Sequence, residues 1–358
     1  MERVTVNLGD RSYPIYIGAH VLPEVGSLVR PCDLSGRGAL ITNPVVGQLY
    51  GQQVLSSFEE RGIALTLLEV PDGEEFKSLT IAAALYEKLL PCGLDRRSPI
   101  VALGGGVIGD LAGYVAATFM RGLPLIQIPT SLLAQVDSSV GGKVGLNLPQ
   151  AKNMVGAFHQ PCFVLSDVSL LSTLPPPEFR AGLAEVVKYG VIADKPFFEW
   201  LEGNVATILE LREEALIHMV RTSCRIKAAI VEQDERDEGI RGVLNFGHTV
   251  GHALEAATGY GAFRHGEAVA IGMVAAARIS CQVGLCNEEI PARLQALLQR
   301  IGLPTALNLK PEQLKETIGY DKKIKNNMSY FVLTKDLGNV TVAPVFDPLE
   351  ALEGLSAT

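Results

Sequence analysis

Short apolar runs alternate with helix-like stretches over the first half of the chain, and this alternation constrains the fold more than any other feature. The strand-like runs lie at 3–8, 13–17, 39–42, 64–70, 100–103, 125–128 and 163–165, and the intervening stretches 45–61 and 78–90 have helical spacing. Parallel strands need long crossover connections, which are usually helices. The pattern therefore predicts an α/β domain with a mainly parallel sheet.

The second half of the chain follows a different pattern, which begins after Pro175-Pro176-Pro177. Helical spacing predominates at 178–193, 205–235, 243–258, 266–283, 290–301 and 311–319, and one strand-like stretch, 329–333, has a candidate partner at 340–343. Proline disfavours the helical conformation in the residue before it, so the triple proline is a natural boundary. We therefore expect an N-terminal α/β domain over 1–174 and a mostly α-helical domain over 178–358.

Charge and hydropathy exclude several classes of protein. The chain has 31 basic and 39 acidic residues, and the net charge of −8 argues against a general nucleic-acid binder. The most apolar segments, 98–120 and 266–283, contain charged residues and lack the ~20 uninterrupted apolar residues of a membrane span. No secretory signal is visible, and the six cysteines form no Cys-x-x-Cys pair. We expect a cytoplasmic protein with reduced thiols and no membrane or nucleic-acid partner.

A glycine-rich loop follows the predicted strand 100–103. Gly104 to Gly109 reads Gly-Gly-Gly-Val-Ile-Gly, which satisfies Gly-x-Gly-x-x-Gly and opens a helix. Such a loop lets backbone amides approach a pyrophosphate, but a dinucleotide fingerprint also has an acid about 20 residues on, and none is present near 126–130. Nucleotide binding and a tight structural turn are both open. A second loop, 71–77, could offer carboxylates to a ribose or form a solvated turn.

A polar segment further along the chain could hold an anionic, hydroxylated ligand. It supplies small residues for close backbone approach, two lysines and several amide and carboxylate groups. Its members are Gln135, Asp137, Ser138, Ser139, Gly141-Gly142-Lys143, Asn147, Lys152-Asn153 and His159. The alternative is a polar surface loop.

The helical half carries a group of potential metal ligands. His248 and His252 are four residues apart and project from one helix face, so spacing alone predicts paired zinc ligands, with His265 or a glutamate as the third. Glu185 and Lys188 are three residues apart on another helix, where a surface ion pair is the simpler interpretation. Buried, hydrogen-bonded histidines are the alternative to a metal site.

The ordered set of these motifs resembles the 3-dehydroquinate synthase family of the sugar-phosphate cyclase superfamily. The matching stretches are Asp72-Gly73-Glu74-x-x-Lys77, Gly104 to Asp110, Arg121-Gly122, Pro129 to Lys143, Lys152-Asn153, Ala184 to Lys188, Leu244 to Thr249 and His265-Gly266-Glu267. They cover nearly the whole chain in order. The resemblance implies a Rossmann-like NAD-binding domain over 1–174 and a helical metal- and substrate-binding domain over 178–358.

The same resemblance implies an activity. A member of the family is a homodimeric, cytoplasmic lyase of the shikimate pathway for aromatic amino-acid biosynthesis, with NAD and Zn2+ or Co2+ as cofactors. Its sugar-phosphate substrate is 3-deoxy-D-arabino-heptulosonate 7-phosphate. Transient oxidation by NAD, phosphate elimination, re-reduction and an intramolecular aldol closure give 3-dehydroquinate and phosphate.

Site residues are carried over position by position. The implied metal ligands are Glu185, His248 and His265, so His252 becomes a proton-transfer and substrate-contacting residue. The other implied substrate contacts are Arg121 (from the neighbouring subunit), Asp137, Lys143, Asn153, Lys188, Lys227, Arg241 and Asn245. The implied cofactor contacts are Asp72, Gly73, Glu74, Lys77, Gly105, Gly106, Val107, Ile108, Gly109, Asp110, Thr130, Ser131, Lys143, Lys152 and Thr173.

Two positions and three rival functions complete the prediction. Asp237 stands where the family often has glutamate, and Asp321-Lys322-Lys323 matches a C-terminal motif in which either lysine could reach the substrate. The rivals are another sugar-phosphate cyclase, such as a 2-deoxy-scyllo-inosose or valiolone-type synthase, a metal-dependent polyol dehydrogenase of the glycerol dehydrogenase type, and a non-catalytic nucleotide-binding module.

Overall fold

The computed structural model of the chain describes residues 1–259, 262–306 and 329–345, which divide into two units. The first unit contains Met1–Leu174 together with Leu216–Arg236. The second contains Pro175–Ala215 and the described residues from Asp237 onward. The chain thus returns to its first unit over Leu216–Arg236. The predicted division at the triple proline does not include this return, and that division stays a prediction.

The first unit is built on a seven-stranded sheet. The strands of this unit are β1 (Glu2–Val6), β2 (Tyr13–Gly18), β3 (Arg37–Thr42), β4 (Ala64–Glu69), β5 (Ile100–Gly104), β6 (Leu125–Pro129), β7 (Lys143–Leu148), β8 (Ala151–Phe158) and β9 (Phe163–Asp167). The sheet has the order β1-β2-β9-β6-β5-β3-β4, and all neighbours in it are parallel except β1 and β2. The predicted α/β class is confirmed.

Both faces of this sheet are covered, which explains its continuous apolar strands. In β5, Ile100 and Ala102 face one hydrophobic cluster, whereas Val101 and Leu103 face the other. The covering α-helices are α1 (Pro44–Val46), α2 (Gln52–Glu59), α3 (Leu79–Leu89) and α4 (Gly106–Thr118). Side chains alternate between the faces of a strand, so two cores form from one apolar run.

The strand order places a reversal beside the glycine loop. From β3 the chain moves outward to the edge strand β4, and it then returns to β5 on the other side of β3. In open parallel sheets, ligands bind where the order reverses, outside the carboxyl ends of the strands. The loops after β3 and β5 begin with Asn43 and Gly105 and lie at this point.

Strands β7 and β8 lie within the polar segment 135–159, for which the sequence pattern predicts no strand. They pair with each other as a separate antiparallel hairpin. In β7, Val144, Leu146 and Leu148 alternate with Lys143, Gly145 and Asn147, so a period of two is present over this strand. The partner strand β8 reads Ala-Lys-Asn-Met-Val-Gly-Ala-Phe and does not alternate regularly.

The second unit is mostly helical, as predicted. Its elements are α5 (Pro176–Ala193), α6 (Lys195–Leu209), α8 (His248–Ala257), α9 (His265–Gln282), α10 (Glu289–Ile301), and an antiparallel pair, β10 (Ser329–Asp336) and β11 (Asn339–Val345). The predicted helix 311–319 and the motif 321–323 lie outside the described residues.

The predicted helix 205–235 is divided in the structure. Helix α6 ends at Leu209, and α7 (Glu213–Gln233) begins after a break in which Leu211 has a φ of 57°. Leucine rarely adopts this left-handed conformation, so its apolar spacing concealed the break. From residue 216 onward, α7 belongs to the first unit. Across the described ranges, none of the helices combines the length and hydropathy that crossing a membrane requires.

Candidate active site

Three helices of the second unit approach one another unusually closely, and glycines make the approach possible. A Cβ on Gly266, at the start of α9, would lie 1.9 Å from the carbonyl oxygen of Ala181 in α5. A Cβ on Gly272 would lie 1.9 Å from the carbonyl oxygen of Gly247, the left-handed residue that precedes α8. Both separations are far below van der Waals contact. The helices α5, α8 and α9 can therefore bring their polar side chains to a common point.

The three predicted metal ligands meet at that point. Oε1 of Glu185 lies 3.5 Å from Nε2 of His248 and 3.6 Å from Nε2 of His265. Ligand atoms about 2.1 Å from a tetrahedral zinc ion are separated by roughly 3.4 Å, so this spacing suits one ion. Among the described residues, Glu185, His248 and His265 form one of two groups that could hold a metal. One carboxylate and two imidazoles are a donor set that zinc and similar divalent ions accept.

A second group shares one residue with the first. It consists of His252, Glu255 and His265, and its Glu255 carboxylate lies 3.3 Å from Nδ1 of His265. Neither group contains both His248 and His252, although their ring centroids are 5.3 Å apart. The i, i+4 spacing therefore brings the two rings together without making them ligands of the same group. Glu255 was not among the predicted site residues.

Burial and charge distinguish the two histidines of the first group, His248 and His265. Burial lowers the pKa of His248 to about 3, so this ring is neutral at neutral pH. Burial also opposes a charge on His265, but the carboxylates of Glu185 and Glu255 outweigh it and raise the pKa to about 10. A neutral imidazole presents a lone pair to a metal, whereas a protonated one must first lose its proton.

Lys188 is buried against Glu185. Its Nζ contacts Oε2 of the carboxylate, and both side chains are at most 2% exposed. The interpretation as a surface ion pair is therefore wrong. A pair of this kind holds the Glu185 charge when no cation is present, and removal of either partner leaves an uncompensated buried charge.

The residues before α8 hold two further predicted contacts. Arg241 and Asn245 lie in the 3-10 segment Ile240–Asn245, where Arg241 is buried and Asn245 is partly buried. Asp237 precedes this segment with a left-handed φ of 59°. The segment leads directly into Gly247 and α8, so these side chains belong to the same unit as the metal group.

In the first unit, the predicted cofactor residues lie along the carboxyl edge of the sheet. Gly105 precedes α4 and provides no side-chain cap for it, while Val107 and Ile108 lie in its first turn. Thr130 and Ser131 follow the neighbouring strand β6, and the backbone N–H of Thr130 donates to the carbonyl of Gly104 at 3.0 Å. The uncapped amides at the start of α4 favour an anionic ligand.

Asn43 is a residue at this edge that the sequence analysis did not select. Its Nδ2 donates to Oδ1 of Asp72 at 2.9 Å, and its Oδ1 caps α1 by accepting from the N–H of Val46. Asn43 thereby fixes the loop after β4 to the end of β3. Its position at the end of a predicted strand, beside Pro44, was the available signal.

Lys77 gathers several of the predicted residues around one buried ammonium. This side chain is 4% exposed, and its Nζ donates to Oδ2 of Asp110 and to Oδ1 of Asn153, both at 2.5 Å. Burial raises the pKa of the Asp110 carboxyl, and the Lys77 charge opposes this rise. Asn147 extends the group, because its Nδ2 donates to Oε1 of Glu74 at 2.7 Å and its Oδ1 accepts from the N–H of Asn153 at 3.0 Å.

The remaining residues of the first unit are less uniformly placed. Lys227 in α7 donates to Oδ1 of Asp137 at 2.7 Å, which ties α7 to this unit. Lys143 is exposed at the start of β7, Lys152 is partly buried in β8, and the Thr173 hydroxyl is 2.6 Å from that of Tyr50.

Arg121 is separated from the glycine loop by the length of α4. It lies beyond the far end of α4, and that helix of 13 residues spans about 20 Å from the glycine loop.

Comparisons with known proteins place this arrangement in a family. The family model described as 3-dehydroquinate synthase N-terminal matches residues 67–181, and the C-terminal model of the same family matches residues 182–324. A 3-dehydroquinate synthase from Pelobacter propionicus is 50% identical over 357 residues, covering 99% of each chain.

Two solved structures have nearly the same fold. A 2-deoxy-scyllo-inosose synthase in complex with carbaglucose-6-phosphate, NAD+ and Co2+ has a TM-score of 0.89 at 29% identity over 98% of each chain. A 2-epi-5-epi-valiolone synthase from Streptomyces hygroscopicus subsp. jinggangensis 5008, with NAD+ and Zn2+ bound, has a TM-score of 0.88 at 25% identity over the same share. Both family models match in sequence order and the Pelobacter relative matches end to end, so the chain belongs to the 3-dehydroquinate synthase family.

Proposed function

We propose that the chain converts 3-deoxy-D-arabino-heptulosonate 7-phosphate into 3-dehydroquinate and inorganic phosphate. The protein is then an NAD- and metal-dependent carbon–oxygen lyase of the shikimate pathway. The hydride removed from the substrate in the first step is returned before the product leaves, so the overall reaction is redox-neutral.

One observation carries this proposal: the 50% identity to a 3-dehydroquinate synthase over 99% of both chains. The two solved cyclases share the fold at much lower identity and are named for other products. A glycine loop and a group of metal ligands would also serve a polyol dehydrogenase. The full-length identity therefore decides among the rivals.

The residues of the second unit suit a divalent cation and a proton transfer. When bound, the metal would hold substrate oxygens and lower the pKa of a substrate hydroxyl, and NAD would take up and return the hydride. Glu185, His248 and His265 would hold Zn2+ or Co2+ and leave positions for substrate oxygens. His252 is exposed one helical turn from His248, where its ring nitrogen can accept and return a proton. Lys188, Arg241 and Asn245 supply charge and hydrogen bonds for the substrate.

The residues of the first unit suit NAD. The uncapped start of α4 would face the pyrophosphate, and the loop Asp72-Gly73-Glu74 would offer oxygen atoms to a ribose. Lys77 donates to Asp110 in α4 and to Asn153 in β8, so the loop after β4 that carries Lys77 is fixed to both elements. This order supports tight retention of the reduced cofactor between the two hydride transfers.

A homodimer completes the proposal. Arg121 lies at the opposite end of α4 from the glycine loop, and a single chain that folds as described keeps it there. An arginine at that place would serve the active site of a neighbouring subunit, where its guanidinium could contact the substrate phosphate. We also place the protein in the cytoplasm, which suits its six free cysteines.

The experiment that tests the function follows phosphate and NADH together. The purified protein with NAD and a divalent metal should release phosphate from the heptulosonate phosphate, give 3-dehydroquinate by mass and NMR, and turn over many times per NAD without net growth of NADH absorbance. Removal of NAD should abolish turnover and its addition should restore it. Build-up of NADH in proportion to product would instead establish a dehydrogenase, and a different carbocycle would establish another cyclase.

A further inference from the structure

Glu255 lies against the metal group on the side away from Glu185. It occupies α8 seven residues after His248, about two helical turns further on, so the two side chains share a face. Its side chain is 7% exposed, and Oε2 lies 3.3 Å from Nδ1 of His265. Burial of a carboxylate costs free energy unless the charge is paired, and the contact with His265 provides that pairing for Glu255.

His265 is held between two carboxylates through its two ring nitrogens. Nε2 faces Oε1 of Glu185, and Nδ1 faces Oε2 of Glu255. If Nε2 binds the ion, Nδ1 carries the proton and donates a hydrogen bond to the Glu255 carboxylate. The ring is then fixed in one tautomer and one orientation, and the anionic acceptor makes Nε2 a stronger electron donor.

His248 has the same arrangement with a different acceptor. Its Nε2 faces Glu185, and its Nδ1 lies 3.2 Å from the carbonyl oxygen of Phe246. Both ligand histidines therefore present Nε2 to the same carboxylate oxygen and Nδ1 to an acceptor of their own. The two acceptors differ in charge, since one is a neutral carbonyl and the other is a carboxylate.

We propose that Glu255 is a positioning residue for the metal centre, which accepts a hydrogen bond from Nδ1 of His265 and does not bind the ion itself. This inference rests on the proposed function, because it needs an ion at Glu185, His248 and His265. The alternative is that Glu255 is a direct ligand in the second group with His252 and His265. The two roles predict different effects of removing the carboxylate charge. A positioning residue would weaken binding of the ion, whereas a ligand would be required for binding.

The test measures metal affinity and the ligand-field spectrum in addition to activity. Glu255→Gln keeps the shape of the side chain and removes its charge, and Glu255→Asp keeps the charge on a shorter side chain. Glu267→Gln is the matched control, because Glu267 accepts from the N–H of Arg264 at 2.8 Å and caps the same helix that begins with His265. Zn2+ and Co2+ affinities are measured by competition with a chelator, and the visible absorption of the Co2+ protein reports its coordination.

A positioning role predicts that Glu255→Gln still binds one ion per chain, with a 10- to 100-fold weaker affinity. The visible absorption band of the Co2+ protein should shift in wavelength. Its intensity should equal that of the wild-type protein, because the coordination number is unchanged. Glu267→Gln should bind within about twofold of wild type. Glu255→Asp serves if Glu255→Gln fails to fold, and it should bind more weakly than wild type while retaining the stoichiometry.

Three results would overturn the inference or the function beneath it, and they differ from one another. Wild-type affinity and spectrum in Glu255→Gln would show that the carboxylate does not act on the metal. Loss of the ion as complete as in His265→Ala would make Glu255 a ligand. Failure of the wild-type protein to bind one ion per chain would refute the proposed function instead.

Discussion

Neighbouring histidines in this protein have opposite preferences for a proton, and this contrast is set by single contacts. His248 is partly buried beside a backbone carbonyl and stays neutral, whereas His265 lies between two carboxylates that raise its pKa to about 10. His252, on the same helix face as His248, is exposed. The three rings lie within 6.0 Å of one another, so their different surroundings assign them different chemistry.

The first prediction separates ligand from proton carrier. His265→Ala should lose the metal on purification, because it removes one of the three proposed ligands. His252→Ala should retain one ion per chain and lose turnover, by about 10²- to 10⁴-fold if it removes a general acid–base group. Metal analysis of the purified variants, beside steady-state kinetics, makes the comparison. Loss of the metal in His252→Ala would favour the second group of ligands, and retention of the metal in His265→Ala would exclude both groups, because both contain His265.

The second prediction concerns Lys77 and the pH dependence of stability. Burial raises the pKa of Asp110 above its usual value near 3.8, so ionisation of this carboxyl lowers stability as pH rises. Lys77 offsets that cost. In Lys77→Met the folded-state pKa of Asp110 should rise further. The loss in free energy of unfolding should be small near pH 4, where the carboxyl is protonated, and should grow to about 1–3 kcal/mol at neutral pH, where the carboxylate lacks its partner.

Urea unfolding of the NAD-free protein from pH 4 to pH 8 provides the measurement. The matched control is Lys77→Met combined with Asp110→Asn, in which the growth with pH should disappear because the titrating carboxyl is gone. A destabilisation by Lys77→Met that is the same at every pH would mean that the lysine acts through packing alone.

Helices and strands show which parts of the structure a sequence can predict. The alternation of apolar runs predicts the sheet well, because residues such as Val101 and Ala102 must each be buried on opposite faces. The hairpin β7–β8 and the break after Leu209 were missed. In the hairpin, β8 has no regular alternation to support the period of two in β7. At the break, the apolar spacing continues through a left-handed leucine.

The candidate site was predicted unevenly for a similar reason. Motifs that share a helix or a loop, such as His248 and His252, are visible as spacing. Contacts between different helices are not, because they depend on how closely the backbones approach. The Glu255–His265 contact and the burial of the Lys188–Glu185 pair both depend on the packing of α8 and α9 with α5.

The third prediction tests that packing. Gly266→Ala places a methyl group against the backbone of α5, so the helices must separate, at a cost of about 1–3 kcal/mol in the free energy of unfolding. The metal affinity should fall as well, because His265 is the neighbouring residue. Gly203→Ala is the control: Gly203 is exposed in α6 with nothing within 4 Å of the added Cβ, and alanine should stabilise that helix by about 0.5–1 kcal/mol.

Thermal unfolding of the two variants, with and without metal, gives the comparison. If Gly266→Ala unfolds at the wild-type temperature and binds metal normally, the close approach of α9 to α5 does not set the ligand geometry.

At the scale of the whole molecule, the placement of Arg121 predicts that subunits share active sites. Arg121→Ala and His252→Ala should each be almost inactive alone. Mixed dimers should regain activity, because the site with an intact His252 receives Arg121 from the other chain. Random reassortment should give about a quarter of wild-type activity, since half of the dimers are mixed and each has one complete site.

Co-expression with two affinity tags isolates the mixed dimers for this assay, and the isolated mixed dimers should have about half of wild-type activity, since one of their two sites is complete. Mixtures that stay inactive would place Arg121 in the site of its own chain, or outside it altogether. Wild-type activity of Arg121→Ala alone would remove the residue from the reaction.

The return of the chain to its first unit has a consequence for the way the protein is made. Met1–Leu174 is synthesised first, and α7 is synthesised only after Pro175–Ala215. Helix α7 pairs Lys227 with Asp137 and Glu232 with Asn7. The first unit of the nascent chain therefore stays incomplete until residue 236 has left the exit tunnel. Until then Asp137 and Asn7 lack their partners in α7, and the surface that buries Cys224 is uncovered. During that interval the growing chain presents a surface that a chaperone can recognise, so its synthesis is more exposed to aggregation than that of an enzyme whose domains follow one another in order.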